Sequence, residues 1–143
     1  RSFCMRSIHH RGSFADPGLV LALDAGPGHC DGVAFRVADG HEAATLAALR
    51  ERELISSAYL ERWLALDTAK GALTALAYVI DPAHDQYCGG LALEDQAQII
   101  ARATGGRGPN RDYLWATAAH LDDLGIGDAD LRWLSARVRA ICD

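Results

Sequence analysis

The order of apolar and polar positions along the chain predicts strands first and helices later. Apolar runs of strand length, bounded by turn-forming residues, cover 18–24, 30–37, 59–67 and 74–80. A turn rich in glycine and proline separates the first two runs, and Lys70-Gly71 separates the last two. The sequence therefore predicts two hairpins, one from each pair of runs.

Helical spacing of apolar residues covers 40–54 and then most of the chain after Gly90. Three helices are predicted there, over 93–104, over 111–124, and after Asp128 with Leu131, Leu134, Val138 and Ile141 on one face. Asn110 and Asp128 precede the last two and are predicted N-caps. This order favours an α+β fold in a single domain spanning 1–143, with three helices in its C-terminal half.

Composition narrows the class of protein. Half of the 143 residues are hydrophobic, which is enough for a sizeable core without help from metal or disulfides. The formal net charge is -5. A dedicated nucleic-acid binder usually carries a basic balance, so nucleic acid is not an expected partner.

The cysteines and the hydropathy pattern point to a cytoplasmic protein. Cys4, Cys30, Cys88 and Cys142 form no C-x-x-C pair and no regular framework, as expected of thiols in a reducing compartment. No apolar run approaches the roughly 20 residues that span a membrane, and no signal-peptide pattern is present. We expect a cytoplasmic location without membrane attachment.

Glu53 is the strongest candidate for chemistry. At about 100° per residue it falls nearly in line with Leu46 and one turn after Leu49, on the apolar face of the predicted helix. A carboxylate there costs free energy unless it is used, and one partly removed from water suits a general base near neutral pH. Alternatively, residues 50–53 form a solvated charge run with weak surface pairs.

Metal binding and nucleophilic catalysis have weaker support. His9 and His10 are adjacent, and successive side chains of a strand point to opposite faces. His84 and Cys88 are four residues apart, but no second pair with zinc-site spacing exists. The chain has no G-x-S-x-G motif, and the glycine-rich segment 105–110 lacks the Walker lysine, so a helix-helix loop is predicted there. A small metal-binding domain stays a third alternative.

Several segments, in order along nearly the whole chain, resemble the ChaC-like γ-glutamylcyclotransferase family. They are Ser7–Gly12 (Ser-x-x-His-Arg-Gly), Pro17–Asp24, Gly32–Arg36, Glu51–Glu53, Tyr87–Leu91 (Tyr-x-Gly-Gly-Leu), Leu93–Glu94, Gly108–Leu114 and Leu124–Ile126. Individually most of these matches are weak, but together and in this order they are specific.

The resemblance implies a fold and an activity. The family fold is a small mixed β-sheet or barrel with flanking helices. Its members cleave glutathione or related γ-glutamyl compounds into 5-oxoproline and a free amine, with no cofactor and no metal. A small-molecule substrate is thus the expected partner. Glu53 aligns with the general base of the family.

Residues for substrate binding follow from the same resemblance. Arg11 is the candidate for the substrate carboxylate, since a guanidinium matches that group bidentately; a structural ion pair is the alternative. Tyr87 and Tyr113 are expected to line the pocket. By default, Tyr87 is a loop aromatic and Tyr113 a core or interface tyrosine with its hydroxyl hydrogen-bonded.

The family opens with a strand and a Tyr-Gly-Ser-Leu loop whose backbone helps hold the γ-glutamyl group. This sequence shows no counterpart before Arg1, so we expect an N-terminal segment to be missing. Two other functions stay open. One is a non-catalytic binding or regulatory domain on the same scaffold, and the other is a cyclotransferase acting on another γ-glutamyl amine.

Overall fold

The computed structural model describes residues 1–143 as six strands and four helices. The strands are β1 (Ser2–Ser7), β2 (Gly18–Ala22), β3 (Tyr59–Thr68), β4 (Gly71–Ile80), β5 (Thr104–Gly105) and β6 (Gly108–Pro109). The helices are α1 (Glu42–Glu53), α2 (Leu93–Arg102), α3 (Asn110–Asp123) and α4 (Ala129–Cys142). The α+β class and the three helices of the C-terminal half are confirmed.

Two antiparallel ladders form the sheet region. β3 and β4 make the predicted hairpin, in register from Tyr59 opposite Ile80 to Thr68 opposite Gly71. The other ladder joins β1, which the sequence did not predict, to β2. The Ile80 N–H donates to the Leu23 carbonyl at 2.8 Å, so the end of β4 lies parallel beside the residues that follow β2. This junction places the β3–β4 hairpin beside the first ladder.

The predicted strand over 30–37, and its hairpin with β2, are wrong. This segment forms no strand, and Val33 and Phe35 are 53% and 89% exposed. Its alternating pattern is compatible with a strand, but a strand forms only where a neighbour has free backbone donors and acceptors. β2 offers none, because both of its edges are already occupied.

Side chains of α3 occupy the edge of β2 that faces away from β1. The Asn110 amide accepts from the Leu19 N–H at 2.7 Å and donates to the Leu19 carbonyl at 2.8 Å. The Tyr113 hydroxyl accepts from the Leu21 N–H at 3.3 Å. The Asn110 side chain therefore binds the backbone of β2. It does not cap α3 as predicted, because the N-cap position of α3 is Pro109.

The predicted cap of α4 is confirmed. The Asp128 side chain accepts a hydrogen bond from the Leu131 N–H.

The core lies on both faces of the first ladder. On one face, α2, α3 and α4 pack against β1 and β2 through a cluster of ten buried residues. It comprises Phe3, Leu19, Cys88, Ala97, Ile100, Ala101, Leu114, Leu131, Leu134 and Val138. A smaller cluster of Cys4, Ala22 and Ile80 joins β1 and β2 to β4. None of the four helices combines the length and apolarity needed to cross a membrane.

Gly12 lies where the loop after β1 meets the start of β2 with no room for a side chain. A Cβ there would overlap the Gly18 nitrogen and lie 2.5 Å from the Ser7 carbonyl oxygen. We expect Gly12→Ala to lower the free energy of unfolding by about 1–3 kcal/mol, because backbone must shift. Urea denaturation measures this. Gly26→Ala is the control, since nothing lies within 4 Å of its Cβ; equal losses in both variants would contradict the prediction.

An ion pair between Glu94 of α2 and Arg137 of α4 should make the free energy of unfolding depend on pH in the acid range. Arg137 donates to both Glu94 oxygens at 2.8 Å, and Gln98 donates at 2.9 Å. These hydrogen bonds, Arg137 first, lower the pKa of Glu94 to about 2 from the ordinary 4.5. The folded pKa is depressed, so this contribution is complete above pH 4.5 and is lost as pH falls toward 2.

We therefore expect the Tm advantage of the wild type over Glu94→Gln to shrink between pH 4.5 and pH 2. Thermal unfolding of both proteins at several pH values tests this. Both groups are well exposed, so the effect should be small, and it should weaken further with added salt. An advantage that stays constant down to pH 2 would refute the assignment.

Candidate functional site

Glu53 is the last residue of α1 and lies on its inner face. Leu46, Leu49 and Glu53 are all half-buried, as the helical periodicity predicts, although α1 has no fully buried residue. The Glu53 side chain is 25% exposed, and its Oε1 lies 2.6 Å from Nη2 of Arg52. The carboxylate is thus partly shielded from water while its one ion-pair partner is a solvent-facing arginine.

Two tyrosine hydroxyls from the β3–β4 hairpin lie within electrostatic reach of Glu53. Burial, followed by the negative charge of Glu53, raises the pKa of Tyr59. The pKa of Tyr78 is raised by burial and then by its hydrogen bond to Glu61, with a further contribution from Glu53. Both hydroxyls therefore stay protonated at neutral pH. Sequence reasoning missed them, because an aromatic residue in a strand is typical of a sheet core.

Tyr113, on α3, packs against β1 and bonds to β2. Its ring stands edge-on to Phe3 with the centroids 6.2 Å apart, and its hydroxyl accepts from the Leu21 N–H. Burial raises the pKa of Tyr113. Tyr113 also contributes, after burial and Glu53, to the raised pKa of Tyr59.

Arg11 lies over Tyr113 and anchors the β5–β6 hairpin. Its guanidinium carbon is 5.8 Å from the Tyr113 ring centroid. Nη1 donates to the carbonyls of Arg107 and Pro109 at 2.7 and 3.3 Å. The structure contains no ion pair to Arg11, and its Nε and Nη2 have no protein partner. The structural ion pair considered from the sequence is therefore not formed, and part of the guanidinium is free for an anion.

Tyr87 reaches the same sheet region from the loop after β4. Its hydroxyl donates to Oδ2 of Asp24 at 2.9 Å, and this hydrogen bond raises the pKa of Tyr87. Tyr87 and Tyr59 both pack against the small buried cluster that contains Cys4. Burial raises the pKa of the Cys4 thiol, which keeps it protonated and unsuited to nucleophilic attack. Asp24, two residues after β2, is a further polar group that sequence reasoning missed.

The residue types that suggested metal have other partners. His84 has Nε2 3.1 Å from the Ser56 carbonyl, while its Nδ1 accepts from the Gln86 N–H at 3.2 Å. Cys88 is buried in the main core. No group of three or more His, Cys, Asp or Glu side chains could hold a metal ion. His84 and Cys88 are thus four residues apart without sharing a site. The imidazole of His84 is held in a turn by hydrogen bonds at both of its nitrogens.

A polar cavity of about 160 Å³ opens at another part of the surface. Its lining residues are Arg1, His29, Cys30, Asp31, Gly127 and Asp128. None of the predicted site residues contributes to it. This cavity is therefore separate from the residues that the sequence singled out for chemistry.

The group around Glu53 can perform acid–base chemistry on a small polar molecule. A carboxylate can accept and return a proton, and the protonated hydroxyl of Tyr59 can donate a hydrogen bond, whereas that of Tyr78 already donates to Glu61. Arg11, through its free nitrogens, adds a cationic donor beyond Tyr113. This combination needs neither a nucleophilic side chain nor a metal ligand set.

Comparison with known proteins gives a match along the whole chain. The model of the ChaC-like protein family matches residues 1–141. The chain is 34% identical over 142 residues to the glutathione-specific γ-glutamylcyclotransferase of Escherichia coli (strain K12), covering 99% of this chain and 61% of that protein. It is 32% identical over 149 residues to γ-glutamylcyclotransferase 2-3 of Arabidopsis thaliana, covering 99% and 75%.

A solved structure shows the same fold. The crystal structure of the yeast γ-glutamyl cyclotransferase specific to glutathione superposes with a TM-score of 0.77. The match covers 97% of this chain and 82% of the yeast chain at 18% identity. The chain spans about 61% of the length of the Escherichia coli relative, so the similarity concerns a part of that protein.

Proposed function

This chain belongs to the ChaC-like protein family, and from that premise we propose that it is a γ-glutamylcyclotransferase that cleaves glutathione to 5-oxoproline and Cys-Gly. The observation that carries the proposal is the family match over residues 1–141. Glu53, which is half-buried, is the proposed general base, on the resemblance of Glu51–Glu53 to the segment that carries the general base in the family. The curated relatives named for this activity support glutathione over other γ-glutamyl amines as the substrate.

The proposed reaction is an intramolecular aminolysis. The substrate α-amino nitrogen attacks its own γ-carbonyl carbon and closes a five-membered lactam, and the bond to the departing amine breaks. An α-amino group has a pKa near roughly 8 and is mostly protonated at neutral pH. Glu53 would remove its proton and pass that proton to the leaving nitrogen. Arg52 must then turn outward, which its exposed side chain allows.

Substrate binding in this proposal uses the aromatic side chains around the general base. Tyr113 and Tyr87 would bound the pocket on the α3 side and on the loop side. Arg11 would hold a substrate carboxylate through Nε and Nη2, since Nη1 already bonds backbone carbonyls. Ring closure requires a bent γ-glutamyl group, so these contacts would supply the near-attack geometry. Backbone N–H groups are the expected donors for the tetrahedral oxyanion.

The direct test is an assay for both products. We expect 5-oxoproline and Cys-Gly to appear in equal amounts from glutathione, with the 143-residue chain and an N-terminally extended form assayed side by side. Turnover of γ-glutamyl-alanine in preference to glutathione would assign a different γ-glutamyl substrate. Binding of glutathione without product in either form would favour a non-catalytic domain. The four free cysteines favour a reducing cytoplasm as the site of this activity.

A further inference from the structure

The helix that carries Glu53 is held by polar contacts. α1 contains no fully buried residue, whereas α2, α3 and α4 each bury residues in the core. Apolar packing therefore contributes less to the placement of α1 than to that of the other helices. A general base must be held to within a fraction of an ångström of its working position, so another interaction has to fix this end of α1.

A network of three side chains provides that interaction. Arg50, one turn before Glu53, donates from Nε and Nη2 to the two carboxylate oxygens of Glu61 at 2.8 and 2.7 Å. Tyr78, directly opposite Glu61 on β4, donates its hydroxyl to the same carboxylate at 3.2 Å. A bidentate guanidinium–carboxylate pair fixes orientation as well as distance. The last turn of α1 is thus tied to both strands of the hairpin.

We propose that Arg50, Glu61 and Tyr78 are positioning residues for Glu53, which hold it beside Tyr59 and keep the charge around it balanced. This inference rests on the proposed role of Glu53 as general base. Glu61 is on β3 two residues after Tyr59, so both side chains point to the same face of the hairpin. Both tyrosines of this region, Tyr59 and Tyr78, have pKa values that burial raises and that the charge of Glu53 helps to raise, which links the network to the base.

The charged and titratable groups near the end of α1 that carries Glu53 come from α1 and from both strands of the hairpin. α1 supplies Arg50 and Arg52, β3 supplies Glu61 with the neutral Tyr59, and β4 supplies the neutral Tyr78. The hydrogen bond from Arg50 lowers the pKa of Glu61, so the Arg50–Glu61 pair is fully charged at neutral pH and internally compensated. Removing either partner leaves a single uncompensated charge near Glu53.

The two single substitutions should therefore shift the pH dependence in opposite directions. Arg50→Met leaves the Glu61 anion, which disfavours a second carboxylate, so the acid limb of the kcat–pH profile moves to higher pH. Glu61→Gln leaves the Arg50 cation, which favours the carboxylate, so that limb moves to lower pH. Both variants should lose kcat, on the order of 10-fold, with little change in KM, because the base is less well placed. Tyr78→Phe should lower kcat less and leave the limb in place.

Two controls separate this role from a general effect on folding. Arg137→Met and Glu94→Gln break an equally short bidentate pair that joins α2 to α4, and both should leave the profile unchanged. The double exchange Arg50→Glu with Glu61→Arg rebuilds a pair in the same place and should restore most of kcat. Displacement of the acid limb in the same direction in both single variants, or none in either, would overturn the proposal.

A measurement that does not depend on catalytic turnover can test the positioning role separately from the proposed function. Carboxyl-carbon NMR follows the titration of the Glu53 side chain in the wild type, in Arg50→Met and in Glu61→Gln. We expect the titration curves of the two variants to lie on opposite sides of the wild-type curve. A wild type that makes no 5-oxoproline would refute the proposed function. Coincident NMR curves would refute the positioning role, whatever the activity.

Discussion

Glu53→Gln is expected to lower 5-oxoproline production from glutathione by about 10²–10⁴-fold while the fold stays intact. The amide cannot accept the proton of the substrate amino group, yet it has nearly the same size and keeps a hydrogen-bond acceptor. The side chain is partly exposed and pairs only with Arg52. The free energy of unfolding should therefore change by no more than about 0.5 kcal/mol.

Glu51→Gln is the matched control for this experiment. Glu51 lies two residues earlier on α1, is exposed and forms no ion pair, so its substitution should leave both rate and stability unchanged. The measurements are product formation at saturating glutathione and thermal unfolding for all three proteins. Glutathione binding to Glu53→Gln, followed calorimetrically, should be retained. Turnover close to that of the wild type in Glu53→Gln would rule out Glu53 as the general base.

Asn110→Ala is expected to cost about 2–5 kcal/mol of stability, the largest loss that we anticipate for a single substitution. Asn110 is fully buried, and its amide satisfies both the N–H and the carbonyl of Leu19 at 2.7 and 2.8 Å. Alanine leaves two buried backbone groups without partners, at about 1–3 kcal/mol each. For a chain of this size, Tm should fall by roughly 5–15 °C.

Gln98→Ala is the control for the loss of a side-chain amide. Gln98 is exposed on α2 and donates only to the exposed Glu94, so its removal should change stability by no more than about 0.5 kcal/mol. Chemical denaturation of the three proteins gives the comparison. A loss in Asn110→Ala no larger than that in Gln98→Ala would show that water or a backbone shift replaces the Asn110 bonds to β2.

Helices and the β3–β4 hairpin were predictable because their signals are local. The register of β3 and β4 follows from two apolar runs joined by Lys70-Gly71, where Gly71 adopts a φ of 110° that other residues avoid. The last helix begins after Asp128, whose side chain binds a backbone N–H within the same turn. Each of these interactions joins residues close in sequence, at most 21 positions apart for Tyr59 and Ile80.

The partner of β2 was not predictable, because the interactions that decide it are distant in sequence. Residues 30–37 follow β2 closely and alternate as a strand would, yet they stay outside the sheet. β1 and the side chains of Asn110 and Tyr113 occupy the two edges of β2, and Asn110 is 91 residues away from Leu19. Local pattern cannot reveal such competition for backbone hydrogen bonds.

The sequence by itself determined the class of fold, the inner face of α1 and the choice of Glu53 as candidate base. These follow from periodicity and from an ordered set of short segments, which are properties of the chain read in one direction. Only the tertiary structure decided which groups surround that carboxylate. The Arg50–Glu61 pair and Tyr78 join the last turn of α1 to the β3–β4 hairpin. Contact between side chains on separate elements depends on packing that no single segment encodes.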